Sequence, residues 1–166
     1  DVCSFYNITT MCDRGRYAIV VVGGGPAGAI TAKESAERGA SVLLIEERRS
    51  IGLPIQCTGL LSVRGFQTSG ASSDVILREI KGVIAHGPQG QKITAERSET
   101  HAYVMDRDRF DCDLIEQAKL AGVEVRVPAS ATGISAGKIN IEADGAKFTI
   151  PAKLIIGADG PNSRIA

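Results

Sequence analysis

The sequence is poor in the residues that build metal centres and disulfide frameworks. Its two histidines, His86 and His101, lie far apart, and its four cysteines include no C-x-x-C pair. A zinc site is therefore not expected. At this chain length and cysteine spacing a disulfide framework is not expected either. These absences favour a reduced, cytoplasmic setting.

The chain also lacks an excess of either charge. Of its 166 residues, 19 are Lys or Arg and 19 are Asp or Glu, so nothing points to a nucleic-acid partner. The longest uncharged stretch, residues 17–32, is too short to span a membrane and is broken by glycines and a proline. The remaining composition, with 43% hydrophobic residues, is ordinary for a globular protein with one core.

The most informative stretch joins two apolar strands through a glycine-rich turn. A strand at 18–22 runs into G-x-G-x-x-G, and a helix then begins at Pro26. Gly23 allows the tight turn, Gly25 lets a pyrophosphate approach the backbone, and Gly28 lets the helix pack closely on the sheet. Pro suits a first helical turn, whose free N–H groups attract a diphosphate.

An acid closes this pattern at the end of the second strand, 41–45. Glu46 stands 46 − 25 = 21 residues beyond Gly25. A carboxylate there accepts hydrogen bonds from an adenosine ribose and repels a 2′-phosphate. The pattern predicts dinucleotide binding over a bland βαβ turn, and it excludes NADP from this site more firmly than it separates FAD from NAD.

The rest of the chain indicates an α/β fold, a Rossmann-like FAD/NAD(P)-binding domain with a βαβ start and an antiparallel β-meander crossover. Residues 47–70 read as a long irregular loop with a binding role. The further predicted elements are a hairpin at 80–86 and 92–96, a strand at 101–105, a helix at 108–121 capped by Asp106, a strand at 123–127, meander strands at 131–135, 138–143 and 147–150 with a tight turn at Asp144-Gly145, and a last apolar strand at 152–156.

The predicted domain organisation has two parts. Residues 1–10 lack a periodic pattern and precede Met11, so we expect a non-native or disordered leader there. Residues 11–166 read as the N-terminal part of a truncated FAD-binding domain, without its substrate domain.

Four motifs in order carry a family resemblance: the glycine motif with Glu46, P-I-Q-C-T-G at 54–59, M-D-R-D-R-F-D at 105–111 and G-A-D-G-P-N-S at 157–163. Together they resemble the N-terminal part of the geranylgeranyl reductase family, FAD-dependent enzymes of the aromatic-hydroxylase-type flavoprotein group. The Q-C-T-G loop favours the archaeal-type branch, whose members saturate geranylgeranyl chains of membrane lipids.

The resemblance implies FAD as the cofactor and a role for each matching residue, although it names no catalytic acid. The implied cofactor-binding residues are Gly23, Gly25, Pro26, Ala27 and Gly28 for the diphosphate, Glu46 for the adenosine ribose, Cys57, Thr58 and Gly59 for the flavin region, Arg107 for the diphosphate or ribityl side, Ala131 for the adenine side, and Asp159 and Gly160 for flavin and pyridine-nucleotide contact. The group's last motif usually carries an arginine where this chain has Ala166. Simpler interpretations are a buried loop cysteine at 57, a solvated helix-start charge at 107 and a helix cap at 159.

The function that the resemblance implies is reduction of isoprenoid C=C bonds by reduced FAD. The expected partners are a prenyl lipid substrate and an electron donor, which could be ferredoxin, NADPH or a deazaflavin. A peripheral membrane contact of the intact enzyme is also expected. The alternatives are a flavin-dependent monooxygenase or halogenase of the same group, and an inactive nucleotide-binding fragment.

Overall fold

A computed structural model describes residues 17–165 of the chain. The predicted leader at 1–10 lies outside the described residues. In chain order the elements are β1 (Tyr17–Val22), α1 (Pro26–Glu37), β2 (Val42–Ile45), β3 (Leu60–Ser62), α2 (Val63–Ser69), a short 3₁₀ helix (Ser73–Val75), β4 (Ile76–Ile80), β5 (Gly82–His86), β6 (Lys92–Glu96), β7 (Ala102–Met105), α3 (Arg107–Leu120), β8 (Glu124–Arg126), β9 (Ser130–Ser135), β10 (Lys138–Ala143) and β11 (Ala146–Gly157).

A six-stranded sheet in the order β8-β2-β1-β11-β10-β9 organises these elements. β1 pairs in parallel with β2, where Val20 lies opposite Leu43, and with β11, where it lies opposite Ile155. β2 in turn pairs in parallel with β8. All four residues of β2 are buried, as expected for a parallel strand covered on both faces. The Rossmann-like α/β fold predicted from the sequence is confirmed.

The last strand differs from the prediction. The separate strands expected at 147–150 and 152–156 form the single twelve-residue strand β11. Its first half pairs antiparallel with β10 and its second half pairs parallel with β1. Pro151 lies where the partner changes, and its fixed φ suits an extended backbone, so it does not break the strand. One strand therefore joins the meander to the parallel sheet.

The alternation of side chains along β1 builds two cores, one on each face of the sheet. Val21 faces α1 and α3 and packs with Leu44 and Leu114. Val20 points to the opposite face, where it joins a cluster with Leu43 and Ile139 under the meander. This period of two places the apolar side chains of a single short strand in both layers.

The region between the two halves of the sheet is more ordered than predicted. Half of the irregular loop expected at 47–70 forms β3 and α2, and the Ser62 hydroxyl caps α2 by accepting the Gly65 N–H at 3.0 Å. β4, which was not predicted as a separate strand, joins β3 and β7 in a three-stranded antiparallel sheet. The expectation of a fully irregular segment is wrong, because β3 forms by pairing with the distant strand β7, a contact that the local pattern does not contain.

Two local predictions hold and one does not. Asp106 caps α3 by accepting the Arg109 N–H at 3.4 Å. Asp144 and Gly145 have φ of 50° and 75°, the left-handed pair that a tight hairpin turn requires. By contrast, Cys112 is disulfide-bonded, so the expectation of reduced cysteines is wrong there.

Within residues 17–165, no helix is both long and apolar enough to cross a membrane. The same part of the chain contains no group of three or more metal-ligating side chains.

Candidate cofactor cleft

A cleft of about 390 Å³ opens beyond the carboxyl ends of β1, β2 and β11. Open α/β sheets bind their ligands at this edge. The cleft is lined by most of the residues that the sequence singled out, namely Gly23, Gly25, Pro26, Ala27, Glu46, Cys57, Arg107, Ala131, Asp159 and Gly160. Gly28, Thr58 and Gly59 do not line it; Gly28 and Gly59 are buried and Thr58 is exposed. Residues from five separate parts of the chain therefore converge on one site.

The three glycines of the turn have different surroundings. A Cβ on Gly23, whose φ is 109°, would collide with the carbonyl oxygen of Ala158 and lie 2.9 Å from the Asp159 nitrogen. A Cβ on Gly28 would collide with the carbonyl oxygen of Gly23. A Cβ on Gly25 would meet no atom of the described residues within 4 Å. Gly23 and Gly28 thus allow close packing, while Gly25 leaves open space on the side of the cleft.

The amino end of α1 faces this open space. Gly25 is the N-cap residue, Pro26 occupies the first turn, and no side chain of the described residues 17–165 caps the helix. Ala27 in the same turn is exposed. The first-turn N–H groups and the helix dipole therefore remain available to an anion such as a diphosphate.

The Glu46 carboxylate is half-buried beside the turn and points into the cleft wall. One of its oxygens accepts the Gly24 N–H at 2.7 Å and the other accepts the Arg48 N–H at 2.9 Å. Each carboxylate oxygen has a second lone pair, so both can still accept a hydroxyl. Glu46 can therefore hold the turn in place and bind a ribose at the same time.

Cys57 lies on the opposite wall, in the loop that precedes β3. Gly59, with φ of 74°, is anchored to β7, where its carbonyl oxygen accepts the Met105 N–H at 2.9 Å. The Gly59 N–H is the main cause that lowers the pKa of the exposed Cys57 thiol, with the Arg107 guanidinium and the Thr58 hydroxyl adding to it. Thr58 and Gly59 thus act on the cleft through the sulfur of Cys57.

Arg107 reaches the same wall from the first turn of α3. Its Nη2 donates to both oxygens of the buried Asp111 carboxylate, at 2.8 and 2.9 Å. Burial acts to lower the pKa of Arg107, but Asp111 and Cys57 outweigh it and raise the pKa, so the guanidinium stays charged. The structure does not leave Arg107 as a solvated helix-start charge.

The turn after β11 supplies the remaining wall. The Asp159 carboxylate accepts the Arg164 N–H at 2.8 Å. Burial acts to raise the pKa of Asp159, but the Arg164 N–H and the Ser163 hydroxyl outweigh it and lower the pKa. Asp159 is therefore an ionised cap of this turn, and its position in the wall is compatible with a cofactor contact.

Several lining residues were not predicted from the sequence. They include Arg48, Gln56, Asp111, Asn162 and Arg164. Only Asp111 had a usable signal, its spacing of four residues from Arg107 on a helix. The others lie in turns whose side-chain directions the residue pattern does not reveal.

The residues present suit a dinucleotide with an anionic centre. The bare first turn of α1 and the Arg107 guanidinium are donors for phosphate, and Glu46 is an acceptor for sugar hydroxyls. The buried Nε of Arg107 has no hydrogen-bond partner among residues 17–165. Buried polar atoms are rarely left unpaired, so this atom is itself consistent with a ligand at the wall.

The sheet, the glycine turn and the acid together define a Rossmann-like dinucleotide-binding domain. The chain belongs to the FAD-binding domain family, whose model matches residues 16–166, and FAD is its cofactor.

Known proteins connect this domain with the geranylgeranyl reductases. The chain is 35% identical over 161 residues to a digeranylgeranylglycerophospholipid reductase of Methanosarcina acetivorans, with 90% of the chain and 39% of the relative covered. A solved geranylgeranyl bacteriochlorophyll reductase-like protein of Thermoplasma acidophilum matches with a TM-score of 0.81 and 33% identity, over 87% of the chain and 39% of that protein. The resemblance inferred from the motifs is confirmed.

A more distant match shows how widely the fold is shared. A myxobacterial chondrochloren halogenase, described as FAD-dependent, matches with a TM-score of 0.73 but 22% identity, over 90% of the chain and 38% of that protein. At this identity the likeness shows the fold alone. The chain spans about two fifths of the length of each of these three proteins.

Proposed function

We propose that the chain is the FAD-binding part of an oxidoreductase that reduces isoprenoid C=C bonds of prenyl lipids. The observation that carries the proposal is the cleft, which brings together the first turn of α1, Glu46, Cys57 and Arg107. The identity of 35% to a digeranylgeranylglycerophospholipid reductase supports this substrate class over others.

In this proposal each wall of the cleft has a distinct task. The first turn of α1 and Arg107 bind the diphosphate and offset its charge. Glu46 binds the adenosine ribose. The loop at Cys57 excludes water from the flavin side and sets its polarity. Bound FAD supplies hydride transfer, and this chain contributes binding, orientation and electrostatics.

The proposal is tested on the longest natural polypeptide that contains this sequence. The purified protein is loaded with FAD, reduced by dithionite under anaerobic conditions and incubated with digeranylgeranylglycerol phospholipid. Mass spectrometry of the lipid should show a gain of one H₂ for each saturated double bond. No saturation by protein that carries reduced FAD would contradict the substrate assignment.

The same assay separates the reductase from a monooxygenase or halogenase. Those activities need oxygen, and they would add an oxygen or halogen atom to the substrate. If the lipid changed only after oxygen was admitted, by gain of an oxygen atom, the reductase proposal would be wrong. A protein that binds no FAD at all would instead support an inert nucleotide-binding fragment.

A further inference from the structure

Asp111 is a buried carboxylate in the cleft wall whose role the motifs do not explain. Its side chain is only 9% exposed, and it lies one helical turn beyond Arg107 on α3. Both of its oxygens accept from the same guanidinium nitrogen, at 2.8 and 2.9 Å. A carboxylate that commits both oxygens to one partner fixes the direction of that partner.

The environment of Arg107 shows which direction is fixed. Its guanidinium carbon lies 5.7 Å from the centre of the Phe110 ring. Its Cγ would lie 3.4 Å from a Cβ built on Gly59, in the loop that carries Cys57. Asp111 and the Phe110 ring thus both contact the guanidinium, while its buried Nε has no hydrogen-bond partner in the part of the chain that the structure describes.

Burial acts on the pKa of the Asp111 carboxylate more strongly than its ion-pair partner Arg107 does. Burial raises the pKa of Asp111, against the pull of Arg107, and the nearby Asp108 carboxylate raises it further while Arg48 lowers it. A buried ion pair is weak evidence for stability, because desolvation offsets most of the attraction. Stability alone is therefore a poor reason for a buried acid at this point.

We propose that Asp111 is a positioning residue that holds the Arg107 guanidinium at the cleft wall, where its charge serves both the anionic part of the cofactor and the sulfur of Cys57. The cofactor half of this inference rests on the proposed function. The Cys57 half does not, because the sulfur belongs to the protein itself.

The Cys57 half has a test in which positioning and simple charge balance give opposite results. The rate of alkylation of Cys57 by iodoacetamide is measured against pH, with the modified peptide quantified by mass spectrometry. If Asp111 only balanced charge, Asp111→Asn would leave a more positive wall and move the midpoint of the profile down. If Asp111 positions Arg107, the guanidinium turns away in this variant, and the midpoint moves up toward about 8.5.

Three further variants complete this test. Arg107→Gln should move the midpoint in the same upward direction, and Asp111→Glu, which retains the charge, should restore part of the shift. Glu34→Gln is the matched control, because it breaks an exposed i,i+4 pair with Arg38 on α1, far from Cys57. A downward shift in Asp111→Asn, or an unchanged profile in Arg107→Gln, would overturn the proposal.

FAD affinity provides the second readout. Asp111→Asn and Arg107→Gln should each weaken FAD binding about tenfold, and the double variant should be no weaker than Arg107→Gln alone. Additive losses would show that Asp111 acts on the cofactor without Arg107 and would overturn the positioning role. If the wild-type chain bound no FAD, the proposed function would fail, while the alkylation profiles would still decide the role of Asp111.

Discussion

Two glycines of the same motif should respond in opposite ways to the same substitution. Gly25→Ala places its methyl group in open space, because a Cβ there lies more than 4 Å from every other part of the described chain. Gly28→Ala drives its methyl group into the carbonyl oxygen of Gly23, which is backbone and cannot turn aside. Only the first change leaves the protein intact and fills the volume assigned to the diphosphate.

The expected sizes follow from the local structure. At Gly25, Ala is a poorer N-cap residue, which destabilises the folded state, but it also lowers the entropy of the unfolded chain, which stabilises the folded state. These effects nearly cancel, so the free energy of unfolding should change by less than about 0.5 kcal/mol. At Gly28 the better helix propensity of Ala, about 1 kcal/mol, is outweighed by a backbone collision that forces the turn and the helix apart. A net loss of about 2 kcal/mol corresponds to a fall in Tm of roughly 4–8 °C at this chain length.

Thermal unfolding and FAD titration distinguish the two roles. Gly25→Ala should unfold like the wild type and bind FAD at least about tenfold more weakly, since about 1.4 kcal/mol of diphosphate contact is lost. Gly28→Ala should show the fall in Tm whether or not FAD is present. Unchanged FAD affinity in Gly25→Ala would refute the diphosphate site, and unchanged stability in Gly28→Ala would refute the packing argument.

Three further predictions concern other parts of the fold. Glu46→Gln should weaken FAD binding by about 10–100-fold, because a charged acceptor of ribose hydroxyls is lost. FMN binding should be unchanged, because FMN has no adenosine. Equal losses for both ligands in a titration would contradict the ribose assignment. Burial and the hydrogen bond to Glu124 raise the pKa of Tyr17 to about 12. The stability that its neutral phenol contributes should therefore be complete below about pH 10 and lost as the pH rises through about 12. Denaturant melts at both ends of this range should show the loss in the wild type and not in Tyr17→Phe. Asp106→Ala should lower the free energy of unfolding by about 1 kcal/mol through loss of the α3 cap, and a urea melt with an unchanged midpoint would show that the cap contributes nothing.

The parts of the fold that sequence reasoning predicted well are those where one local rule decides the outcome. The continuous apolar runs of β1 and β2, the glycine turn between them and the Asp106 cap each depend on a few adjacent residues. The same is true of the Asp144-Gly145 turn, since two positive φ angles strongly favour these residue types.

The parts that were missed depend on contacts between distant residues. Whether Pro151 ends a strand or lies within one is decided by pairing with both β10 and β1, which the local pattern does not contain. The short strand β3 forms because β7 lies beside it. Tertiary pairing overrides local propensity at such positions.

The candidate site likewise contains features that the sequence motifs predicted and features that they missed. The motifs identified residues of every cleft wall, and they assigned Gly25 to the approach of a pyrophosphate and Gly28 to helix packing, in agreement with the surroundings of the two residues. The role of Asp111 became visible only with the direction of the Arg107 guanidinium. Side-chain direction in turns and first helical turns is set by packing, which spacing alone does not reveal.

The most direct test of the central claim is a crystal structure of this chain with FAD bound. We expect the diphosphate at the free N–H groups in the first turn of α1, beside Gly25, and the adenosine ribose on the Glu46 carboxylate. FAD bound elsewhere on the surface, with this helix end and Glu46 free of the cofactor, would contradict the account.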